Sequence, residues 1–407
     1  MKFTRLLSPA LLLAGAIFLP STIPAQTLDY SFVVVGCNRL NDADTAGSPS
    51  TANVPQLNRI LTEISNLNPV PAYLFMAGDI ILGYTKDTVV AAKQLNAWVQ
   101  LYQGSALASK STQLVVIPGN HETQDKPAGK LSQAGLERTY LRIMAPYIIG
   151  SNGPAADSTH GDSLRTDQSK LTYSFNYKTD HFVMLNTDPV GRDGRVPTQW
   201  ISSNIAAAKG ASARHVFLVG HKPAYAGTKT ATLDDGLAKF PANRDAFWNV
   251  LETNHVEAMF AAHVHVWDKI NPHSGKTWQI IAGNGGSQCE TTWVSVSKPN
   301  PIYHGYTLVN VYTDGTVKVL SMGHDIDNVN YFAAAPSAPT TLRDSVNISW
   351  GAVASIKAVD KWTFGRASKP QVAATFNSKT GEVDVTHNGG VYHINGEEKS
   401  KNKNFAH

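Results

Sequence analysis

Cysteine is nearly absent: the 407-residue chain has two, Cys37 and Cys289. A disulfide-built miniprotein is therefore excluded, and a sizeable hydrophobic core must carry the fold. Charge is sparse, at 16% Asp, Glu, Lys and Arg with a formal net charge of +4, and basic residues gather only weakly, at Lys399, Lys401 and Lys403. Nucleic acid is not an expected partner on that balance. There is no glycine triplet period and no sustained heptad, which excludes collagen-like and coiled-coil chains, and a 42% hydrophobic share is too high for disorder. Three catalytic signatures are also missing: the Gly-x-Ser-x-Gly elbow, the phosphate loop ending in Gly-Lys-Ser/Thr, and Gly-x-Gly-x-x-Gly. His121-Glu122 opens a zinc-protease pattern, but residue 125 is Asp where that pattern needs His.

Long hydrophobic runs are scarce as well. The longest, Leu6 to Leu19, follows Lys2 and Arg5, is broken by Ser8 and Pro9, and falls short of the ~20 residues a spanning helix needs. With Pro20, Pro24 and Ala25 behind it, residues 1–25 read as a secretory signal peptide. The expectation is a secreted or periplasmic protein with no stable membrane anchor.

What is present is one repeated local pattern. Apolar runs end abruptly in polar, often glycine-containing turns: 31–36 before Cys37-Asn38-Arg39, 72–78 before Asp79, and 113–118 before Gly119-Asn120-His121-Glu122. The pattern recurs at 181–185 before Asn186, 216–220 before His221, 256–262 before His263-Val264-His265, and 278–281 before Gly283. Continuous apolar runs of this length suit strands buried on both faces. Helical stripes lie between them, at 54–67, 88–102, 131–145, 197–208 and 243–252. Strands alternating with helices predict an α/β layered fold, in which functional groups collect at the carboxyl ends of strands. Residues 40–53, 147–170 and 224–241 read as loops able to rim a site. Ala333 to Pro339 reads as a linker, giving a main domain over 26–332 and a small β-rich C-terminal region over 333–407, with strands at 346–350, 372–376 and 383–386.

The polar residues closing the strands are metal-ligand types: Asp79, Asn120, His221, His263 and His265. A carboxylate can bridge two cations, imidazoles favour Zn, Fe or Mn, and an amide oxygen adds a neutral ligand. His263 and His265, two apart in an extended segment, face the same side. Singly each residue is an ordinary turn or edge residue; their order along the chain, each ending a strand, points to a metal site.

With these residues the sequence resembles the calcineurin-like metallophosphoesterase family, the purple acid phosphatase-like superfamily, from about Tyr30 to Gly323. Gly78-Asp79, Gly119-Asn120-His121-Glu122, Val219-Gly220-His221 and His263-Val264-His265 look like its second, third, fourth and last motifs. The resemblance implies a four-layer α/β/β/α sandwich around a two-metal site. Asp79 would bridge, with Asn120, His221 and His263 completing one metal, and His265 with the first motif holding the other.

That first motif departs from the family. Asp-x-His is replaced by Cys37-Asn38-Arg39, and Leu82 stands where an acidic residue or tyrosine follows the bridging aspartate. Arg39 has no lone pair to offer a metal, while its guanidinium matches a phosphate's oxygens or a structural carboxylate. Cys37 is open to three readings: a thiolate ligand, a disulfide with Cys289, or a buried inert thiol.

The expected function is an exported hydrolase of phosphate monoesters or diesters, using a hydroxide on one or two divalent or trivalent metal ions (Zn, Mn or Fe). His121 would protonate the leaving oxygen or stabilise the phosphoryl group, with Glu122 as an orienting partner, and Arg39 would help hold the phosphoryl group. The alternative is a degenerate relative that binds one metal or a phosphorylated ligand without turnover. The expected partner is a small phosphate ester.

Overall fold

The computed structural model describes residues 26–39, 53–156, 161–226, 236–273, 275, 277–290, 301–331 and 338–350, with the backbone of 372–377, 382–387 and 390–394. The signal-peptide segment, the loop at 40–52, parts of the other two loops and residues 333–337 of the linker lie outside them. The chain divides into two compact units, Met1–Val353 and Ala354–His407.

In the first unit the strands are β1 (Leu28–Val35), β2 (Tyr73–Met76), β3 (Gln113–Val116), a short pair β4 (Gln124–Asp125) and β5 (Leu131–Ser132), and β6 (Tyr173–Tyr177). They continue as β7 (Asp180–Leu185), β8 (Val216–Gly220), β9 (Ala258–Ala261), β10 (Trp267–Ile270), β11 (Trp278–Ala282), β12 (Tyr303–Tyr312), β13 (Val317–Asp325) and β14 (Thr341–Asn347). One six-stranded sheet runs β14-β13-β12-β1-β2-β3 and the other β10-β11-β9-β8-β7-β6. β1, β2 and β3 pair in parallel, as do β7, β8, β9 and β11.

The continuous apolar runs are explained by the period of two along a strand. Phe32 and Val34 of β1, Tyr73 and Phe75 of β2, Phe217 and Val219 of β8, and Phe260 of β9 share one buried cluster contributed by both sheets. Their alternates Val33, Val35, Leu74 and Met76 pack with Leu57, Ile60 and Ile64 of helix α1 (Val54–Ser65) and with Leu95 and Trp98 of helix α2 (Thr88–Gln103). On the second sheet Val216, Leu218 and Met259 pack against Trp200 and Ile201 of one helix and Phe247 and Trp248 of another. The order is helix, sheet, sheet, helix: the four-layer α/β/β/α sandwich.

Helix ends follow local chemistry. α2 begins at Asp87, whose carboxylate accepts the N–H groups of Val89 and Val90. The four-residue helix α3 (Asn120–Thr123) follows β3 directly. The helix expected at 131–145 is α4 (Ala134–Met144), because Leu131 pairs with Asp125 and the Ser132 N–H donates to Asp193 at 2.7 Å. Helices α5 (Thr198–Gly210) and α6 (Pro241–Thr253) cover the second sheet.

The strand expected at 346–350 lies instead at 341–347 and pairs antiparallel with β13, and Ile348 joins the inter-sheet core. The compact unit thus runs past the linker to Val353. The second unit contains an antiparallel sheet of β15 (Val372–Asn377), β16 (Glu382–His387) and β17 (Gly390–Ile394).

Candidate metal centre

The carboxyl ends of β1, β2 and β3 on one sheet, and of β8 and β9 on the other, supply the polar residues of one site. Asp79, His221 and His263 offer ligand atoms within 4.8 Å of one another; Cys37, Asp79 and His265 do the same. Asp79 belongs to both groups.

The first group is built from acceptors. His221 Nδ1 donates to the Ala77 carbonyl at 2.7 Å, so its Nε2 carries the lone pair. That Nε2 lies 3.1 Å from Asp79 Oδ1, 2.9 Å from Asn120 Oδ1 and 3.3 Å from His263 Nδ1. Asn120 Oδ1 is also 2.9 Å from His263 Nδ1. The Asn120 amide is turned this way by Tyr84, whose hydroxyl takes a hydrogen bond from Nδ2. A carboxylate, an amide oxygen and two imidazoles converging in a buried pocket fit a divalent cation of the Zn, Mn or Fe type. Burial alone would raise the Asp79 carboxyl, but His121, His221 and Arg39 outweigh it and hold the group well below the usual carboxylate range.

The second group differs. His265 Nδ1 donates to the Gln288 carbonyl at 2.9 Å, and its Nε2 is met at 3.3 Å by Arg39 Nη2. Arg39 Nε also lies 3.7 Å from Asp79 Oδ2. Burial and the Asp79 charge push the Cys37 thiol well above its usual value, and its sulfur accepts the His263 N–H at 3.1 Å. Both cysteines are free thiols. The disulfide reading is thereby corrected: Cys37 Sγ faces the site, while Cys289 Sγ turns to the Tyr303 carbonyl.

Backbone strain and close approach concentrate here. Cys37, Asp79, Tyr84 and His263 have φ of 57°, 55°, 54° and 67°, in the left-handed region that side chains usually avoid. Gly78 and Gly119 let two motif loops touch: a Cβ on Gly78 would stand 2.5 Å from Gly119 N, and one on Gly119 would stand 2.3 Å from Asp79 Oδ1.

Glu122 has a different role from the one expected. Its carboxylate does not reach the His121 ring but accepts four backbone N–H groups, from Asp79 and Gly119 on one oxygen (2.9 and 2.7 Å) and Ile80 and Ile81 on the other (2.9 and 3.1 Å). It clamps the Gly78-Asp79 loop to the Gly119-Asn120 loop. The His121 ring is oriented by the Leu82 carbonyl, which accepts from Nδ1, and by Tyr84, whose ring lies beside it at a centroid distance of 3.8 Å, tilted by 45°. Burial pulls the imidazole down to about 3, against the pull of Asp79. With Nδ1 committed to the Leu82 carbonyl, Nε2 is the ring nitrogen turned toward the site, 3.8 Å from Asp79 Oδ2.

Tyr84 has no counterpart among the residues singled out from the sequence. It lies five residues after Asp79, two beyond the place where Leu82 was noted, and its only signal is Gly83, whose Cβ would stand 1.7 Å from the His121 carbonyl. Lys222, beside His221, is buried in a 2.7 Å ion pair with Asp188, which also accepts from Gln124 and the Gly194 N–H.

The calcineurin-like phosphoesterase family model matches residues 33–267. A purple acid phosphatase from yellow lupin (Lupinus luteus) seeds is similar at 15% identity with a TM-score of 0.51; the match covers 79% of this chain and 53% of that one. This chain thus spans about half the length of the lupin protein, and at this identity the likeness shows the fold alone. A dimetal phosphatase from Danio rerio is similar at 14% identity and a TM-score of 0.48, over 80% of this chain and 100% of that one. No curated protein sequence matches the chain.

Proposed function

The chain belongs to the calcineurin-like phosphoesterase family, and from that premise we propose that it is an exported, metal-dependent hydrolase of small phosphate esters. The observation that carries this reading is the convergence of a carboxylate, an amide oxygen and two imidazoles from Asp79, Asn120, His221 and His263, a ligand set suited to a divalent cation. When bound, the metal supplies Lewis acidity toward phosphoryl oxygen and water.

The chain's own residues supply the rest. Arg39, at the edge of the site with a side chain 15% exposed, offers N–H groups in the fork geometry that suits two phosphoryl oxygens. His121, its Nδ1 committed to the Leu82 carbonyl, turns Nε2 to the site, where it is suited to take a hydrogen bond from an attacking water and fix its direction. Tyr84 and the Ala77 carbonyl keep Asn120 and His221 turned toward the metal. Export rests on the sequence of residues 1–25, which predicts a mature protein beginning near Gln26 in the periplasm or medium.

The test is hydrolysis of chromogenic phosphate mono- and diesters by chelator-stripped protein reloaded with Zn, Mn or Fe. Metal-dependent turnover, lost in His221→Ala, is expected. A fully loaded protein that cleaves neither ester class would favour the second reading, a binding protein, for which Arg39 lying against Asp79 and His265 is the supporting observation.

A further inference from the structure

The Cys37, Asp79 and His265 group has the spacing of a second metal position, but its interior is already served by a cation. Arg39 reaches His265 Nε2 at 3.3 Å and Asp79 Oδ2 at 3.7 Å, so one guanidinium addresses two of the three ligands of that group. The direction is fixed by chemistry on both sides. His265 Nδ1 is committed to the Gln288 carbonyl, leaving Nε2 as an acceptor. A guanidinium carries only donors and stays charged throughout the pH range of folded proteins. The third member, Cys37 Sγ, accepts the His263 N–H at 3.1 Å and so ties this half to the ligand loop of the other. A divalent ion brought into the group would have to displace the guanidinium from both partners or share Asp79 with it against charge repulsion.

We propose that this is a one-metal centre, in which the Arg39 guanidinium permanently takes the place of a second metal ion between Asp79 and His265. The ion on the Asp79, Asn120, His221 and His263 side is exchangeable, whereas the cation on the Cys37 side is part of the chain. Arg39 balances the charge of the Asp79 oxygen turned away from the metal, the electrostatic task a second metal would perform. That a phosphate ester is the substrate rests on the functional reading above; the metal count does not.

Stoichiometry tests the count without any activity assay. The full chain, stripped with chelator, is titrated with Mn²⁺ at equilibrium while free Mn²⁺ is read from its electron paramagnetic resonance signal. The wild type is expected to take up one ion per chain with no spin coupling. Arg39→His, which removes the guanidinium and adds an imidazole, is expected to take up two, with a coupled spectrum. Two ions in the wild type would overturn the proposal, as would an Arg39→His variant with unchanged thermal unfolding that still binds one. If that variant does not fold, Arg39→Ala gives the same test by a rise above one ion per chain, and a constant count of one overturns the proposal. No ion in the wild type would overturn both this proposal and the functional reading. One ion with no ester hydrolysis would overturn only the functional reading.

Discussion

The two halves of the site share Asp79 and face it with opposite chemistry. On one side three further groups, His221, Asn120 and His263, face the same point, two of them held by an outer partner: Ala77 for His221 and Tyr84 for Asn120. On the other side a guanidinium donates to His265 and sets its positive charge beside Asp79. The first half is a cavity for a cation and the second already contains one. A metal motif with two residues changed can therefore keep the charge balance of the site while changing which positive charges are exchangeable.

The largest expected effect sharpens that contrast. His221→Ala removes a ligand that no neighbour replaces, so bound metal should fall to near zero and kcat/KM for an aryl phosphate by roughly 10³-fold, the several kcal/mol a metal supplies. Metal analysis with steady-state kinetics checks it, and retained metal would break the comparison by showing the cation held elsewhere. Next is Glu122→Ala, which strands four buried N–H groups and should cost about 3–5 kcal/mol in urea unfolding. A loss below ~1 kcal/mol would mean that the two motif loops do not depend on this clamp.

Arg39→Ala should lower kcat/KM by about 10²-fold, the scale of losing one preorganised donor to a phosphoryl oxygen, without loss of the ion on the His221 side. Metal loss in this variant would erase the distinction between the halves. Tyr84→Phe frees the Asn120 amide and should weaken metal affinity about tenfold, as outer partners of ligands typically do; a competition titration with a chromogenic chelator reads it.

The smallest effect is expected at the opposite end of β1. Asp29 lies against Lys178 and Arg214, and the hydrogen bond from Lys178, followed by Arg214, holds its carboxyl below the usual value despite partial burial. A depressed carboxylate contributes stability above its unfolded pKa of 3.8 that disappears as pH falls through the lower folded value. Asp29→Asn should therefore cost a few tenths of a kcal/mol at pH 7 and nothing once the folded-state carboxyl is itself protonated, with metal content unchanged. A metal or activity change here would show that the effects above are not local to the site.

Much of the fold was legible because buried parallel strands leave a plain trace. The runs at 31–36, 72–78, 216–220 and 256–262 are apolar on both faces, and the structure uses both, one face in the inter-sheet core and the other under helices. β14 lies in the stretch expected beyond the linker, yet it pairs with β13 in the first compact unit. Its residues are half-buried and polar-rich, as an edge strand allows, and only pairing with β13 identifies it. In the site, the ligand types were legible by identity. The task of Glu122 was not, since a glutamate beside a histidine reads the same whether it touches the ring or four amides of another loop.

The sequence by itself determined the alternation of strands and helices, the ligand residues at strand ends and the two departures at Cys37 and Arg39, because hydrophobic period and side-chain chemistry are local properties. Tertiary structure alone decided what those departures mean. Cys37 and Cys289 remain free thiols facing different partners, and Arg39 points back onto Asp79 and His265. Both outcomes depend on where loops from two sheets meet, across sequence separations of 40 to 226 residues, and no local pattern encodes a distance of that kind.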